Sequence, residues 1–292
     1  MLWVVVILSS FVAAGAYAVR LGRSQSYYAL RDIQLAGAAA AAVERVKAEL
    51  SRDNSGYDSV SENWKKGGAF NNMAVAPASV DVTVTDEESK ININTSSLEI
   101  LLRLMAGIPN REEVVDSILD WRDADMNVRE NGGEESWYQQ LDSPVHCKNK
   151  FFDCLEELYL VKGIRGKRTV TSLFPVMTVR SNGRININTA PYAVLVSLPG
   201  MNAENAGRVI ARRNGSDGIE GTEDDLPFRS EGEMREVVTA DVYGSCSGMV
   251  TVSSSLFTVK VVARLGHASK VVEALLKRDE HSISTIYWRE LS

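Results

Sequence analysis

The chain is poor in the residues on which most site chemistry depends. Its 292 residues include three cysteines (Cys147, Cys154, Cys246) and three histidines (His146, His267, His281). Their spacing fits no zinc pattern, which argues against a zinc centre. A Cys147–Cys154 bridge, suited to an oxidising compartment, is compatible with the spacing and stays open. No nucleophile elbow, phosphate loop or dinucleotide fingerprint is present, so the chain is not expected to be an enzyme. A basic excess is also lacking: the formal net charge is −6 and the pI about 5.3. Nucleic-acid affinity comes mainly from Lys and Arg on phosphates, so a general nucleic-acid binder is not expected either. The acidity does suit cations such as calcium. With 45% hydrophobic and 24% charged residues the chain is ordinarily globular, long enough for two modest domains or one with an insertion.

Proline is missing from the first 76 residues, and charge from Leu2 to Val19. As a helix rising about 1.5 Å per residue, that apolar run reaches roughly 27 Å, near the thickness of a bilayer core. Arg20, Arg23 and Arg31 follow it. No basic region precedes the run, as a cleavable signal would need, so a retained anchor is expected. Ser24 to Leu50 is alanine-rich, where a linker would show Pro, Gly and Ser. One continuous helix to about Leu50 is therefore expected. Its sheet-facing stripe is predicted at Leu30, Ile33, Ala36, Gly37, Ala40, Ala41 and Glu44, by three- and four-residue steps.

A motif recurs 94 positions apart: KININTSSLEILLRLMAGIP at 90–109 and RININTAPYAVLVSLPG at 184–200. Ile91 and Ile93, like Ile185 and Ile187, alternate as in a short strand. Thr95, Ser96 and Thr189 are placed to accept from helix-start amides, Ser96 and Glu99 have capping-box spacing, and Pro191 suits a first turn. Gly107 and Gly200 are expected to end the helices. Each copy runs on into a second helix, giving a helix-hairpin-helix-like pair. The second copy has Arg208, Arg212 and Arg213, which suit a phosphate. Glu112, Glu113, Asp116, Asp120, Asp123 and Asp125 after the first would repel one. A compact packing unit is the preferred reading of both.

Each hairpin leads into an acidic, glycine-containing loop. Asp120, Asp123, Asp125, Glu134 and Glu135 surround Asn131, Gly132 and Gly133. Asp217, Glu220, Glu223, Asp224 and Asp225 alternate with Gly215, Gly218 and Gly221. Hard oxygen ligands on a flexible loop suit calcium, and crowded carboxylates repel each other without a cation. Calcium is expected at both loops, with a solvated acidic surface as the alternative for each. Trp121, Trp137 and Tyr138 read as core or interface aromatics.

Strands are expected at Val80–Thr85, Phe174–Val179, Leu256–Leu265, Lys270–Leu276 and Ile283–Trp288, with a hairpin at Gly266-His267-Ala268. DCLEELYLVKGI reads as a short helix with a glycine stop. The fold class is α+β: a long N-terminal helix on an antiparallel sheet with a large helical insertion. The expected divisions are 1–23 for the membrane part, 24–95 for the rest of the helix and first strands, 96–168 for the insertion, and 169–292 for the remainder.

Taken in order, the apolar helix, ININTSSLEILLRL, VDSILDWRDAD…NGGEESWY, FFDCLEELYLVKGI, RININTAPYAVLVSLPG and the closing strands resemble the general secretion pathway protein K family, minor pseudopilins of the type II secretion system. That resemblance implies a pilin-like fold and a single-pass inner-membrane helix with the main domain in the periplasm. It also implies a place at the pseudopilus tip with other minor pseudopilins, a role in starting or capping assembly, contact with secreted proteins, and calcium at the loop of Asp120, Asp123, Asp125, Glu134 and Glu135. Precursors of this kind carry a short basic leader before the apolar helix. Here the run starts at Met1, so Met1 is expected to lie inside the natural segment. Two other readings are a membrane-tethered, competence-type DNA binder using the hairpins, and a type IV pilus minor pilin.

Overall fold

The structure is a computed structural model that describes residues 2–65, 70, 73–166, 169–280 and 282–291. Helix α1 runs unbroken over Leu2–Arg52, as expected where nothing interrupts helix formers. Among the described residues it is the one helix long and apolar enough to cross a membrane, and its apolar stretch is wholly exposed. Its second half lies on a five-stranded antiparallel sheet. The strands are β1 (Met73–Val75), β2 (Ala78–Asp86), β7 (Leu256–Leu265), β8 (Ala268–Asp279) and β9 (Ser282–Leu291), in the order β1-β2-β7-β8-β9.

Alternation along β7 buries Phe257, Val259, Val261 and Ala263 against Leu35, Ala38, Ala39, Ala42, Val43, Val46 and Leu50 of α1. The predicted helix stripe is thus displaced. Ile33, Gly37, Ala40, Ala41 and Glu44 are exposed, and Leu30 with them. Five successive alanines satisfy every helical phase equally, so the larger Leu35, Val43, Val46 and Leu50 decide which side is covered. Truncating Val46 or Leu50 to alanine removes a buried aliphatic and costs about 2–4 kcal/mol.

Between β2 and β7 the chain leaves the sheet to form the insertion. It contains β3 (Ile91–Asn92), α2 (Leu98–Leu104), α3 (Arg111–Arg122), α4 (Glu135–Tyr138), β4 (Met177–Thr178), β5 (Ile185–Asn186), α5 (Tyr192–Ser197), α6 (Ala203–Arg213), α7 (Ala240–Cys246) and β6 (Val250–Thr251). One buried cluster runs from Ile91 to Val252. The division expected at 168, itself outside the described residues, therefore falls inside the insertion's core. Hydrophobic residues of both motif copies share that core, and α2 packs on α5. Arg103 of α2 donates to the carbonyls of Val196, at 2.8 Å, and Met201.

Several local expectations shift. The expected strand Phe174–Val179 is a 3-10 turn over Thr171–Val176 followed by the two-residue β4. Pro175 lacks the amide a longer ladder needs, and β4's partner β3 is itself only two residues. LEELYL forms a 3-10 turn with Gly163 left-handed behind it (φ 81°). Ser97, not Ser96, caps α2, accepting from Ile100 N at 3.3 Å. The first hairpin puts its left-handed residue at Asn110 (φ 54°) rather than Gly107, whereas Gly200 (φ 73°) stops the second as expected. Trp121 and Tyr138 are core aromatics with ring centres 5.2 Å apart. Cys147, Cys154 and Cys246 are free thiols, with burial pushing Cys147 up to about 12.

Candidate functional site

Both acidic loops hang from the same frame, built twice. β3 pairs in parallel with β4 through Ile91 and Met177, and β5 with β6 through Ile185 and Val250. In the first copy the Asn94 side chain donates to Phe152 O at 3.0 Å and accepts from Phe152 N at 2.8 Å. In the second, Asn188 makes the same two bonds with Phe228 at 2.9 and 2.8 Å. Arg122, at the end of α3, donates to the carbonyls of Ile93 and Ser96, the latter at 2.6 Å. Arg213, at the end of α6, donates to those of Ile187 and Ala190 at 3.0 and 2.8 Å. The motif's asparagines are therefore buried joints rather than the outward half of a strand. Nothing in a two-residue alternation signals this. Their repetition beside each isoleucine is the one trace of it in the sequence.

Each loop spans the gap between that arginine and that phenylalanine. The first begins at the end of α3, where Asp120 is fully buried. Gly132 closes over it, and a Cβ there would meet Asp120 Oδ2 at 1.9 Å. Asp123, Asp125 and Glu134 converge, with ligand oxygens all within 4.8 Å of one another. Asp120 Oδ1, Asp123 Oδ1 and both oxygens of Glu134 are buried without a hydrogen-bond partner among the described residues. Arg129 approaches Asp120, its Nε 3.6 Å from Oδ1 and its amide 3.2 Å from Oδ2. Burial raises the carboxyl pKa of Asp120, Asp123 and Glu134, and negative neighbours add to it: Asp123 at Asp120, Asp125 at Asp123, and Asp120 and Asp123 at Glu134. Glu135 is not part of this group. It turns to Cys147 N and His146 Nδ1, both at 2.7 Å, which hold its carboxyl below the usual range.

The second loop answers differently. Asp224 Oδ2 accepts from Ser216 N at 2.7 Å, Ser216 Oγ at 2.6 Å and Asp217 N at 3.1 Å, while its Oδ1 takes Thr222 Oγ1 at 2.8 Å. Asp225 accepts from Gly221 N at 2.8 Å, and Asp217 caps Ile219 N at 2.7 Å. These donors hold Asp224 well below the usual carboxylate range. Gly215 is left-handed (φ 68°) and pressed against Asp224. Among the described residues Asp217, Glu220, Glu223, Asp224 and Asp225 form no convergent set. The loop's own amides and hydroxyls bond to the oxygens of Asp224 and Asp225.

The arginines that suited a phosphate are engaged within the chain. Arg208 pairs with Glu204 at 2.6 Å, Arg212 with Glu233 at 3.3 Å and Glu236 at 3.7 Å, and Arg213 is buried on its two carbonyls. A further acidic group, Asp53 with Asp58 and Glu62, is assembled by the fold between the end of α1 and the start of the sheet. It had no signal in the sequence, where those acids are scattered among Ser, Asn and Tyr.

Residues 69–182 match the family model of type II secretion system protein K. The chain is 26% identical over 228 residues to a type II secretion system protein K of Pseudomonas aeruginosa, covering 72% of this chain and 64% of that protein. The fold matches a chain in the crystal structure of the GspK-GspI-GspJ complex from enterotoxigenic Escherichia coli. The TM-score is 0.71, with 92% of this chain and 99% of that one covered. Over residues 69–182 the chain is similar to the type II secretion system protein K family. A putative type II secretion system protein K of Escherichia coli K12 is 35% identical over 89 residues, or 30% of this chain and 27% of that protein. The aligned region thus spans less than two thirds of either relative. At 18% identity the solved structure carries the fold alone, and that fold is the long helix, antiparallel sheet and helical insertion described above.

Proposed function

We propose that this protein is a minor pseudopilin that starts or caps a type II secretion pseudopilus, in a tip complex with other minor pseudopilins. The observation that carries this reading is the uncovered side of α1. Leu30, Ile33, Gly37, Ala40 and Ala41 continue the apolar segment upward as an exposed stripe of small and aliphatic residues. Such a stripe lets another helix approach closely, in lipid or in a fibre. The helix anchors the subunit singly in the inner membrane, with the sheet and insertion in the periplasm. The crystallised GspK, its neighbour in fold, comes from a complex with GspI and GspJ, and we take partners of that kind for this chain. The role is structural rather than catalytic. Contact with secreted proteins at the tip belongs to the same proposal.

Calcium is the second part. The donor set fits it: Asp123, Asp125 and Glu134 converge, and Asp123 Oδ1 and both oxygens of Glu134 are buried without a partner among the described residues, next to buried Asp120. Asp123, Asp125 and Glu134 would hold the ion, with Asp120 behind them. A bound divalent cation removes the repulsion among them and stabilises the first motif copy by mass action. The DNA-binding reading is not favoured, because Arg208, Arg212 and Arg213 all have internal partners.

The test is co-purification of the full chain in detergent with the other minor pseudopilins, with calcium or chelator, and with duplex DNA as control. A stable complex, weakened by chelator and retaining no DNA, is the expected outcome. Salt-sensitive DNA retention without pseudopilin binding would overturn the reading.

A further inference from the structure

Three carboxylates meet where α1 ends, on a segment whose Val60 carbonyl lies beside Gly221 of the second motif loop. Asp53 follows the last turn of the helix, and Asp58 and Glu62 lie on the segment leading to β1. One ligand oxygen from each lies within 4.8 Å of the others. That is twice the ~2.4 Å of a calcium–oxygen bond, so a single ion can reach all three. Asp58 is 0% exposed. Its Oδ2 accepts from Ser254 N at 2.6 Å and from the Arg278 guanidinium. Its Oδ1 has no donor among the described residues.

Charge points the same way. Among the described residues Arg278 is the one cation bonded into the group, reaching Asp53 Oδ2 at 3.1 Å as well as Asp58. Three carboxylates against one guanidinium leave an excess of two negative charges, and Asp86 adds its own charge against Asp58. A buried carboxylate oxygen without a partner is unstable in such a field. A proton relieves it in one way, and burial does raise the Asp58 carboxyl to about 7. A cation relieves all three acids together. A solvent-open cleft of about 420 Å³, lined by Asp53 and Glu62 with Glu49, Asn54 and Ser61, supplies an entry path and further oxygen ligands.

We infer that Asp53, Asp58 and Glu62 form a second site, for a divalent, oxygen-preferring cation of the calcium class. Its position gives it a mechanical meaning. Through Asp53 it holds the end of the anchor helix, and through Asp58, Ser254 and Arg278 it holds the start of β7 and the end of β8. The ion joins the stalk to the sheet beside the chain segment that returns from the insertion.

Trp64 makes the site readable. Its Nε1 donates to Glu62 Oε2 at 3.0 Å, so its indole can sensitise a bound terbium ion. Calcium titration by calorimetry and terbium emission would be measured on the full chain in detergent. Glu62→Gln is expected to bind one calcium ion fewer than the unaltered chain and to lose part of the terbium emission. Trp64→Phe is expected to keep the calcium number and lose the same part of the emission. Asp58→Asn should match Glu62→Gln, and where it does not fold, Glu62→Gln decides alone. Asp123→Asn with Glu134→Gln should leave the Trp64-dependent emission intact, which separates this site from calcium in the first loop. An unchanged calcium number and unchanged emission in Glu62→Gln would overturn the inference and leave the proton as the group's only counterion.

Discussion

The two motif copies share a frame and differ in what their acidic loops do with charge. In both, an asparagine clasps a phenylalanine backbone and an arginine braces two carbonyls. In the first loop the carboxylates face one another, and oxygens of Asp123 and Glu134 have no donor among the described residues. In the second, Asp224 and Asp225 are absorbed by amides and hydroxyls of the loop itself. The number of acids is alike. What separates the two loops is the number of donors within reach: Asp224 accepts four hydrogen bonds from its own loop, whereas Asp123 Oδ1 and both oxygens of Glu134 are buried and accept none among the described residues.

The largest expected effect tests the shared part. Asn188→Ala leaves Phe228 N and O buried and unpaired, and is expected to lower stability by about 3 kcal/mol in urea unfolding. Asn94→Ala should cost about the same through Phe152. A clear inequality would break the equivalence of the two frames. Next comes calcium. At a hundredfold excess over Kd, bound ion stabilises by about 2.7 kcal/mol. Chelator should therefore erase hydrogen-exchange protection around Gly132–Tyr138 while leaving 216–226 unchanged. Equal loss in both loops would remove the contrast.

The repeat, the continuous helix, β7 and the closing strands were legible in the sequence because each rests on a local period or a missing breaker. The stripe on α1 was not, since the alanines at 38–42 carry no phase. Nor was the fate of the second loop. Spacing counts Asp224 and Asp225 as ligands, whereas their donors are turn amides that exist only once Gly215 and Gly221 have bent the chain. Asp53, Asp58 and Glu62 meet through the fold, around an arginine more than two hundred residues away.

Two smaller effects sharpen the comparison. Glu134→Gln removes one repelling acid and one ligand at once. It should stabilise the chelated protein and destabilise the calcium-loaded one, by about 1 kcal/mol in each direction. The same sign in both conditions would exclude a ligand role. The smallest concerns the tie between the second copy and the sheet. Asp86 accepts from Asn186 and Ser254, with Glu88 beside it accepting from Ser255 Oγ and Leu256 N. Burial, with the charge of Asp86, raises the Glu88 carboxyl from 4.5 to about 7. The folded state then holds that proton more tightly than the unfolded chain. Stability contributed by Glu88 is fully present below about 4.5 and is lost as pH rises through about 7. Glu88→Gln should flatten that slope in thermal unfolding between pH 5 and pH 8 (roughly the window in which carboxyl burial of this size acts).

The most direct test of the contrast is a calcium titration of two double variants of the full chain. Asp123→Asn with Glu134→Gln is expected to lose one bound ion relative to the unaltered chain. Asp224→Asn with Asp225→Asn is expected to lose none. The reverse result, an ion lost from the second loop and none from the first, would contradict the claim that the supply of donors decides where the cation binds.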